Sequence, residues 1–220
     1  LIKEKKSVIT MHNQKDLEYF FTPKTIAVIG ASNEKGSVGH TVFENMKKAE
    51  AKVFPINYKR KTVQGVKAYP SIKDLKQKIE LAVIAVPAKV VPQILEECAQ
   101  KKVKAAIIVS AGFSETGETE LTKKIEKIIN ANPAMRVMGP NCVGVLNTRT
   151  KVDTTFFEKS RMGTPKKGSL AFISQSGALG SMILDWVATQ EFGISKFISY
   201  GNAMDVDEAD LLEYLGEDKD

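Results

Sequence analysis

Residues 25–39 constrain the fold most, because they combine a buried strand, a glycine-bearing loop and the start of a helix. Residues 26–29 are apolar and largely β-branched, as expected for a strand covered on both faces. Gly30 ends this run, and Gly36 and Gly39 fall where a helix is expected to begin. Such a helix start presents free backbone N–H groups and a partial positive charge, which suits a phosphate. The predicted phosphate loop comprises Gly30, Ala31, Ser32, Gly36, Ser37, Val38 and Gly39.

The spacing of this loop separates it from two well-known phosphate loops. A dinucleotide fingerprint reads G-x-G-x-x-G directly after the strand, whereas here Ser32 replaces the second glycine and the loop is longer. A Walker A loop would end in Gly-Lys-Ser/Thr, and this loop does not. The pattern therefore indicates a phosphate loop of another kind, and the alternative is a glycine-rich turn without a ligand.

Composition narrows the class of protein. A hydrophobic content of 43% with 26% charged residues is typical of a globular protein, and no apolar run approaches the roughly 20 residues of a membrane span. The start of the chain is polar and lysine-rich, unlike a signal peptide, so a cytoplasmic location and no membrane partner are expected. Cys98 and Cys142 form no C-x-x-C pair, so neither a disulfide framework nor a metal site is predicted.

The charge is distributed unevenly along the chain. Residues 1–150 carry 25 Lys and Arg against 14 Asp and Glu, a difference of +11, whereas residues 151–220 carry 7 against 12, a difference of −5. We predict an N-terminal tail (1–19), a first domain (20–146) and a second domain (147–220). A basic first domain fits a polyanionic ligand, or simply a lysine-rich solvated surface, and no nucleic-acid partner is predicted.

Strands and helices alternate through the first domain, which predicts a parallel, doubly wound sheet with right-handed crossovers. The predicted strands begin at residues 25, 52, 81, 105 and 137, and the predicted helices span residues 16–21, 38–48, 70–76, 88–101 and 118–129. Ligands of such folds bind at the carboxyl ends of the strands. The residues there are small, polar or basic, and none is an evident catalytic base.

The end of the second strand discriminates best between ligands. An NAD enzyme would place Asp or Glu there, but this chain has Asn57 followed by Lys59 and Arg60. Cations at this position fit a phosphate on the ribose, as in NADP or in the 3′-phospho-ADP part of coenzyme A, unless they belong to a basic surface loop. The remaining strand ends contribute the candidate binding residues Val86, Pro87, Ser110, Ala111, Gly112 and Asn141.

The second region begins with a segment predicted to be irregular, residues 147–167. Two strand–helix units follow, at residues 169–189 and 196–215. Two units are too few for a self-sufficient sheet, so this domain is expected to be cut short. Its first strand ends in a second candidate anion site, where Ser hydroxyls meet a helix start. The alternative is that Ser176 only caps that helix. The candidate phosphate-binding residues are Ser174, Gln175, Ser176 and Gly177.

A serine hydrolase is not expected from this second loop. The G-x-S-x-G nucleophile motif fails because Ser174 occupies the position of its first glycine. Only His12 and His40 are available to serve as a general base. The loop is therefore interpreted as an anion site and not as a nucleophile.

Together these strand ends resemble the α-subunit side of the ADP-forming acyl-CoA (acetyl-CoA) synthetases, relatives of succinyl-CoA synthetase. The resemblance runs from about Phe20 to the end. It implies an α/β chain with a Rossmann-like CoA-binding domain and a parallel sheet, followed by the first part of a flavodoxin-like ligase domain. The segments that carry it are Gly30-Ala31-Ser32, Gly36-Ser37-Val38-Gly39, Pro55-Ile56-Asn57, Ala85-Val86-Pro87, Ser110-Ala111-Gly112-Phe113, Gly139-Pro140-Asn141-Cys142, Ser174-Gln175-Ser176-Gly177 and Gly201-Asn202.

The resemblance also implies a reaction: acyl-CoA, ADP and phosphate are converted to acid, ATP and CoA through an acyl phosphate and a phosphohistidine. Coenzyme A or acetyl-CoA would bind the first domain. ATP or ADP, with Mg²⁺, would bind an ATP-grasp module, either a β subunit or a fused C-terminal domain, in a hetero- or homo-oligomer. The family's phosphorylated histidine lies beyond Asp220, and neither His12 nor His40 matches it. The chain is therefore expected to bind CoA but to contain no catalytic residue.

Two alternatives remain open from the sequence. The first is a CoA-sensing module, because similar domains resemble the regulatory half of some protein lysine acetyltransferases. The second is an NADP-dependent oxidoreductase, but the G-x-G-x-x-G fingerprint of such enzymes is absent, as is a catalytic His or Tyr-x-x-x-Lys pair.

Overall fold

The computed structural model of the protein describes residues 16–220. Its helices are α1 (Glu18–Phe21), α2 (Val38–Met46), α3 (Val91–Gln100), α4 (Thr119–Ala131), α5 (Gly177–Ala188) and α6 (Glu208–Glu217). Its strands are β1 (Thr25–Ile29), β2 (Lys52–Ile56), β3 (Thr62–Val63), β4 (Val66–Lys67), β5 (Leu81–Ile84), β6 (Ala105–Ile108), β7 (Arg136–Met138), β8 (Gly144–Asn147), β9 (Val152–Asp153), β10 (Lys167–Ser174) and β11 (Ile194–Ser199). No helix in the described part of the chain has the length and apolar character of a membrane span.

The first sheet has the order β2-β1-β5-β6-β7, and all its pairings are parallel. Alternate residues of β1 face opposite layers: Ile26 and Val28 pack with α2, whereas Ala27 and Ile29 pack with α3 and α4. The predicted doubly wound parallel sheet is confirmed. The chain leaves β1 towards β2 and returns to β5 on the other side of β1. This reversal of strand order opens a crevice at the carboxyl ends of β1 and β5, where such folds bind ligands.

The second sheet has the order β10-β11-β8-β9, with β10 and β11 parallel and the other pairings antiparallel. The interpretation of residues 147–167 as irregular is wrong for β9, and the predicted boundary between 146 and 147 falls inside β8. The reason is that β8 and β9 form a short hairpin with no intervening helix, so an alternating strand–helix pattern does not reveal them. β8 and β9 extend the sheet beyond β10 and β11, the strands of the two predicted strand–helix units.

The two sheets share a hydrophobic core. Val145 of β8, Ile198 of β11 and Leu211 of α6 belong to the same buried cluster as Ile26 and Val28 of β1. The helical turn predicted at residues 16–21 is confirmed as α1, whose Phe20 and Phe21 are fully buried in that cluster. The remaining predictions for the tail, including those for His12, concern residues outside the described part of the chain.

Three further differences concern short elements. The helix predicted at residues 70–76 is only a 3₁₀ turn, Ile72–Asp74, held by a capping box with Ser71. The helix predicted from residue 88 is a 3₁₀ turn, Ala88–Val90, followed by α3. The hairpin β3–β4 was not predicted, because each of its strands has only two residues.

A buried ion-pair cluster joins the two sheets at their boundary. Arg136 of β7, only 2% exposed, places Nε 3.2 Å from both carboxylate oxygens of Asp205 and Nη2 2.6 Å from Oδ2 of Asp210. The segment around Asp205 also runs along β7, since Met204 N donates to Gly139 O and Val206 N donates to Val137 O. The loop after β11 is thereby fixed against the end of the first sheet.

Candidate functional site

A continuous cleft runs along the carboxyl ends of the first sheet and reaches the second. One part, which we call the outer lobe, has a volume of about 960 Å³ and is bounded by the loop after β1 and by α3. The other part, the junction lobe, has a volume of about 1020 Å³ and lies where the two sheets meet. The two lobes share four lining residues, Val38, Ala85, Val86 and Pro87.

The glycine loop shapes the outer lobe through a close contact between strand and helix. Gly30 has φ +91°, and a Cβ there would lie 2.2 Å from the carbonyl oxygen of Ala85. A Cβ on Gly39 would lie 1.9 Å from the carbonyl oxygen of Gly30. Gly30 therefore lets the loop after β1 approach the end of β5, and Gly39 lets the start of α2 pack against the end of β1. Ser37 caps this helix by accepting a hydrogen bond from His40 N. Ser37, Val38 and Gly39 all line the outer lobe, so the helix start borders it.

Asn57 organises the basic turn after β2. Its Nδ2 donates to the carbonyl oxygen of Ala31 at 2.9 Å, and its Oδ1 accepts from the backbone N–H groups of Lys59 and Arg60, each at 2.9 Å. Asn57 thus ties the glycine loop to the turn that carries the two cations. Lys59 and Arg60 are exposed and line the outer lobe beside Tyr58, whose ring centroid lies 5.1 Å from Lys59 Nζ.

The junction lobe is closed on one side by the start of α5. Ser176 Oγ accepts a hydrogen bond from Leu179 N at 3.3 Å, which makes Ser176 the N-cap of this helix. Ser174 Oγ donates to the carbonyl oxygen of Ser176 at 3.0 Å and so braces the turn. A Cβ on Gly177 would approach Val143 Cγ2 to 2.7 Å, so the turn packs tightly against the loop before β8.

Part of the lining of the junction lobe is aromatic. Phe156 and Phe157 line it, and Asn45 of α2 holds their segment by donating to the carbonyl oxygens of Thr155 and Phe157. Cys142 also lines the lobe, but burial raises the pKa of its thiol to about 12, and its Sγ lies 3.3 Å from the carbonyl oxygen of Ile108. The thiol stays protonated near neutral pH and is a poor nucleophile.

The structure gathers most of the predicted site residues around the cleft. The outer lobe is lined by Gly30, Ser32, Ser37, Val38, Gly39, Asn57, Lys59, Arg60, Val86 and Pro87. The junction lobe is lined by Val38, Val86, Pro87, Ser110, Ala111, Asn141, Gln175, Ser176 and Gly177.

Four predicted residues do not line either lobe. Ala31 is fully buried, Gly36 has φ +81° in an exposed bend, and Ser174 is used within its own turn. Gly112 has φ +106°, and its N–H donates to Glu115 Oε1 at 2.6 Å. These residues shape the loops and do not face the cleft.

Sequence reasoning missed two contributions to the junction lobe. The Phe156–Phe157 doublet lay in a segment interpreted as irregular, and contacts that are distant in sequence, including those from Asn45, hold it at the cleft. Gly201 and Asn202 were recognised as a strand end but not assigned to the site, although both line the lobe. His40 lies behind the glycine loop, with Nδ1 3.2 Å from the carbonyl oxygen of Ser32. Among residues 16–220, no cluster of three His, Cys, Asp or Glu side chains is arranged to hold a metal ion.

Comparison with known proteins identifies the family. The model of the CoA binding domain family matches residues 24–148, and that of the succinyl-CoA ligase like flavodoxin domain matches residues 167–220. The α subunit of acetate–CoA ligase [ADP-forming] II from Pyrococcus furiosus is 48% identical over 203 residues, covering 91% of this chain and 43% of that protein. The chain belongs to the CoA binding domain family, and it is similar to the α part of ADP-forming acetate–CoA ligases.

Further members of the synthetase family give the same match. Acetate–CoA ligase [ADP-forming] from Methanocaldococcus jannaschii is 44% identical, covering 93% of this chain and 28% of that protein. A solved structure of the dinucleotide-forming acetyl-coenzyme A synthetase 1 of Ca. Korarchaeum cryptofilum, in complex with phosphate and ADP, is 36% identical with a TM-score of 0.85, covering 92% of this chain and 43% of that chain. This chain therefore spans less than half the length of these synthetase relatives.

Proposed function

We propose that this chain is the CoA-binding α part of an ADP-forming acyl-CoA synthetase. The observation that carries the proposal is the continuous cleft, which has exposed cations at one end and a capped helix start at the other. Coenzyme A is an elongated molecule with a phosphorylated nucleotide at one end and a thiol at the other. A cleft with two chemically different lobes joined by an apolar passage fits both ends of that molecule.

In this proposal the outer lobe binds the 3′-phospho-ADP moiety. Lys59 and Arg60 neutralise its phosphates, and the start of α2 contributes N–H donors that lack a partner within the helix. The pantetheine arm passes Val38, Val86 and Pro87, the residues shared by the two lobes. The thioester then lies in the junction lobe, near Ser110, Ala111 and Asn141.

The start of α5 binds inorganic phosphate in the same proposal. A phosphate oxygen attacks the thioester carbonyl carbon, the C–S bond breaks, and the products are an acyl phosphate and CoA, whose sulfur takes up a proton. The phosphoryl group then passes to a histidine, with release of the carboxylate, and from the histidine to ADP. Gln175, Ser176 and Gly177 would act through fixed donors and not as nucleophiles.

The remaining components are supplied outside the described residues. His40 is held behind the glycine loop by Ser32 O and Gln64, and its Nε2 lies 3.8 Å from Glu44 Oε2, so it is not placed to receive a phosphoryl group. We propose that the phosphorylated histidine belongs to the later part of the ligase domain. The nucleotide, with Mg²⁺, would bind an ATP-grasp module that is either a partner subunit or a fused domain.

The direct test measures CoA release from acetyl-CoA by the complete enzyme, followed with a thiol reagent. The proposal predicts that sustained release over many turnovers requires both ADP and phosphate and is matched by ATP formation. CoA binding without ADP-dependent release would contradict it and would favour the alternative, a CoA-sensing regulatory module. Tight binding of NADP with no affinity for CoA would instead favour an oxidoreductase.

A further inference from the structure

A single carboxylate connects loops that belong to the two different sheets. Glu115 follows β6, and its Oε1 accepts hydrogen bonds from Gly112 N at 2.6 Å and Phe113 N at 3.1 Å. Its Oε2 accepts from Asn202 Nδ2 at 2.6 Å, and Asn202 follows β11. We call this arrangement the Glu115 bridge. It spans 87 residues of sequence and joins the ends of two strands that face the same lobe.

Asn202 also contacts a third loop, the one after β7. Its Oδ1 lies 3.3 Å from Asn141 Nδ2, and its N–H donates to the carbonyl oxygen of Pro140 at 2.9 Å. Asn141 and Asn202 both line the junction lobe, whereas Glu115 lines neither lobe. Glu115 is therefore placed to act on the lobe only through the residues that it holds.

We propose that Glu115 is a positioning residue that fixes Asn202 and Asn141 at the thioester end of the cleft. This inference rests on the proposed function, since it assigns the junction lobe to the thioester. The two amide side chains are polar groups on an otherwise largely apolar wall. With their positions set by Glu115, they offer hydrogen bonds of defined direction to the acyl-thioester or to the attacking phosphate.

The chemistry of the bridge requires a carboxylate. Three N–H donors converge on Glu115, and an ionised carboxylate accepts all of them with two oxygens. Burial disfavours the charge, but the donors from Gly112, Asn202 and Phe113 outweigh it and lower the pKa of Glu115. A glutamine at position 115 would keep one acceptor oxygen for Gly112 N. Its amide NH₂ group would then face the Nδ2 donor of Asn202, so no hydrogen bond would form there.

This polarity suggests a reciprocal test in the complete enzyme. In Glu115→Gln two donors face each other, and in Asn202→Asp two carboxylates do. In the double variant the introduced glutamine amide donates to the introduced aspartate carboxylate, so the bridge forms with reversed polarity. We expect each single change to lower kcat for CoA release by about tenfold or more, the scale of one lost charge-assisted hydrogen bond. The double variant should recover most of that loss, with the Kd for CoA within about twofold throughout, since the nucleotide end binds in the other lobe.

The matched control removes a carboxylate that cannot form the bridge. Glu120→Gln affects an exposed residue of α4 that pairs only with Lys123 in the described contacts, at 2.9 Å, and it should leave kcat unchanged. Unchanged kcat in Glu115→Gln would overturn the inference. A double variant no better than the worse single variant would also overturn it, because a general loss of stability has no reason to be reciprocal.

Hydrogen exchange examines the bridge without turnover. Peptides covering residues 110–116 and 200–206 should both exchange faster in Glu115→Gln and return towards wild type in the double variant. Unchanged exchange in both peptides would contradict the bridge even in an active enzyme. An inactive wild-type enzyme with the expected exchange pattern would contradict the proposed function and leave the bridge standing.

Discussion

Gly30 and Gly39 are required by close backbone contacts, and not only by a ligand. A Cβ on Gly30 would overlap the carbonyl oxygen of Ala85 after β5, and a Cβ on Gly39 would overlap the carbonyl oxygen of Gly30 at the end of β1. Backbone atoms cannot move aside as the end of a long side chain can. Gly36 differs, because nothing lies within 4 Å of its Cβ position and only its φ of +81° favours glycine.

This difference predicts unequal effects within one loop. Gly39→Ala should lower the free energy of unfolding by about 3 kcal/mol, because the overlap forces α2 away from β1. Gly36→Asn should change it by less than about 1 kcal/mol, since asparagine tolerates the left-handed region. Denaturant unfolding of the two variants measures both values, and equal losses would contradict this account of the loop.

At the residue scale, the sequence predicted where cations would lie but not what holds them there. Lys59 and Arg60 follow from the strand pattern, because the carboxyl ends of parallel strands meet at one edge of a sheet. The bonds from Lys59 N and Arg60 N to Asn57 Oδ1 are local, as in an Asx turn. The bond from Asn57 Nδ2 to the carbonyl oxygen of Ala31 depends on the spacing between β1 and β2, and no local pattern contains it.

At the scale of elements, α5 can have two functions that depend on one residue. Ser176 caps the helix through Leu179 N, and the same helix start faces the junction lobe. Loss of a cap costs about 1 kcal/mol of stability, whereas loss of a phosphate-binding group stops a chemical step. The two functions are therefore separable by experiment.

Ser176→Ala in the complete enzyme should fold, with a stability loss of about 1 kcal/mol, and should lose phosphorylation of the histidine. Asp207→Ala is the matched control, because Asp207 caps α6 through Ala209 N and Asp210 N and lines neither lobe. It should lose comparable stability and keep phosphoenzyme formation. Radiolabelled phosphate transfer from acyl-CoA and phosphate measures the step, and normal labelling of Ser176→Ala would show that Ser176 is a cap alone.

Element boundaries were predictable where a strand and a helix alternate, and less so elsewhere. The units β5–α3 and β10–α5 follow from apolar runs and helical spacing. The hairpin β8–β9 did not, because its strands have four and two residues, and β8 is held by pairing with β11, which is distant in sequence. Its omission also removed Phe156 and Phe157 from the predicted site.

At the scale of the whole molecule, the junction lobe depends on the two sheets being held together, because residues of both line it. Arg136 contributes to that contact through its ion pairs with Asp205 and Asp210. Burial alone would lower the pKa of the Arg136 guanidinium, but the two carboxylates raise this pKa by more, so the guanidinium stays charged. Removing one partner of such a cluster leaves uncompensated buried charge, which is more costly than removing an exposed pair.

Arg136→Met should therefore lower the free energy of unfolding by about 3–5 kcal/mol. Lys123→Met, which breaks the exposed pair with Glu120, should change it by less than about 1 kcal/mol. Thermal unfolding at matched pH compares the two. A small effect of Arg136→Met would mean that the apolar core alone holds the sheets together.

The central claim is that the outer lobe recognises the 3′-phospho-ADP end of coenzyme A, and calorimetry with CoA and dephospho-CoA tests it most directly. The wild-type chain should prefer CoA by at least about tenfold, since dephospho-CoA lacks the 3′-phosphate that the cations are proposed to bind. The Lys59→Ala, Arg60→Ala variant should lose this preference. The Lys76→Ala, Lys78→Ala variant, with the same charge removed before β5 at the other end of the sheet, should keep it. Equal wild-type affinity for the two ligands, or a preference that survives loss of Lys59 and Arg60, would contradict the claim.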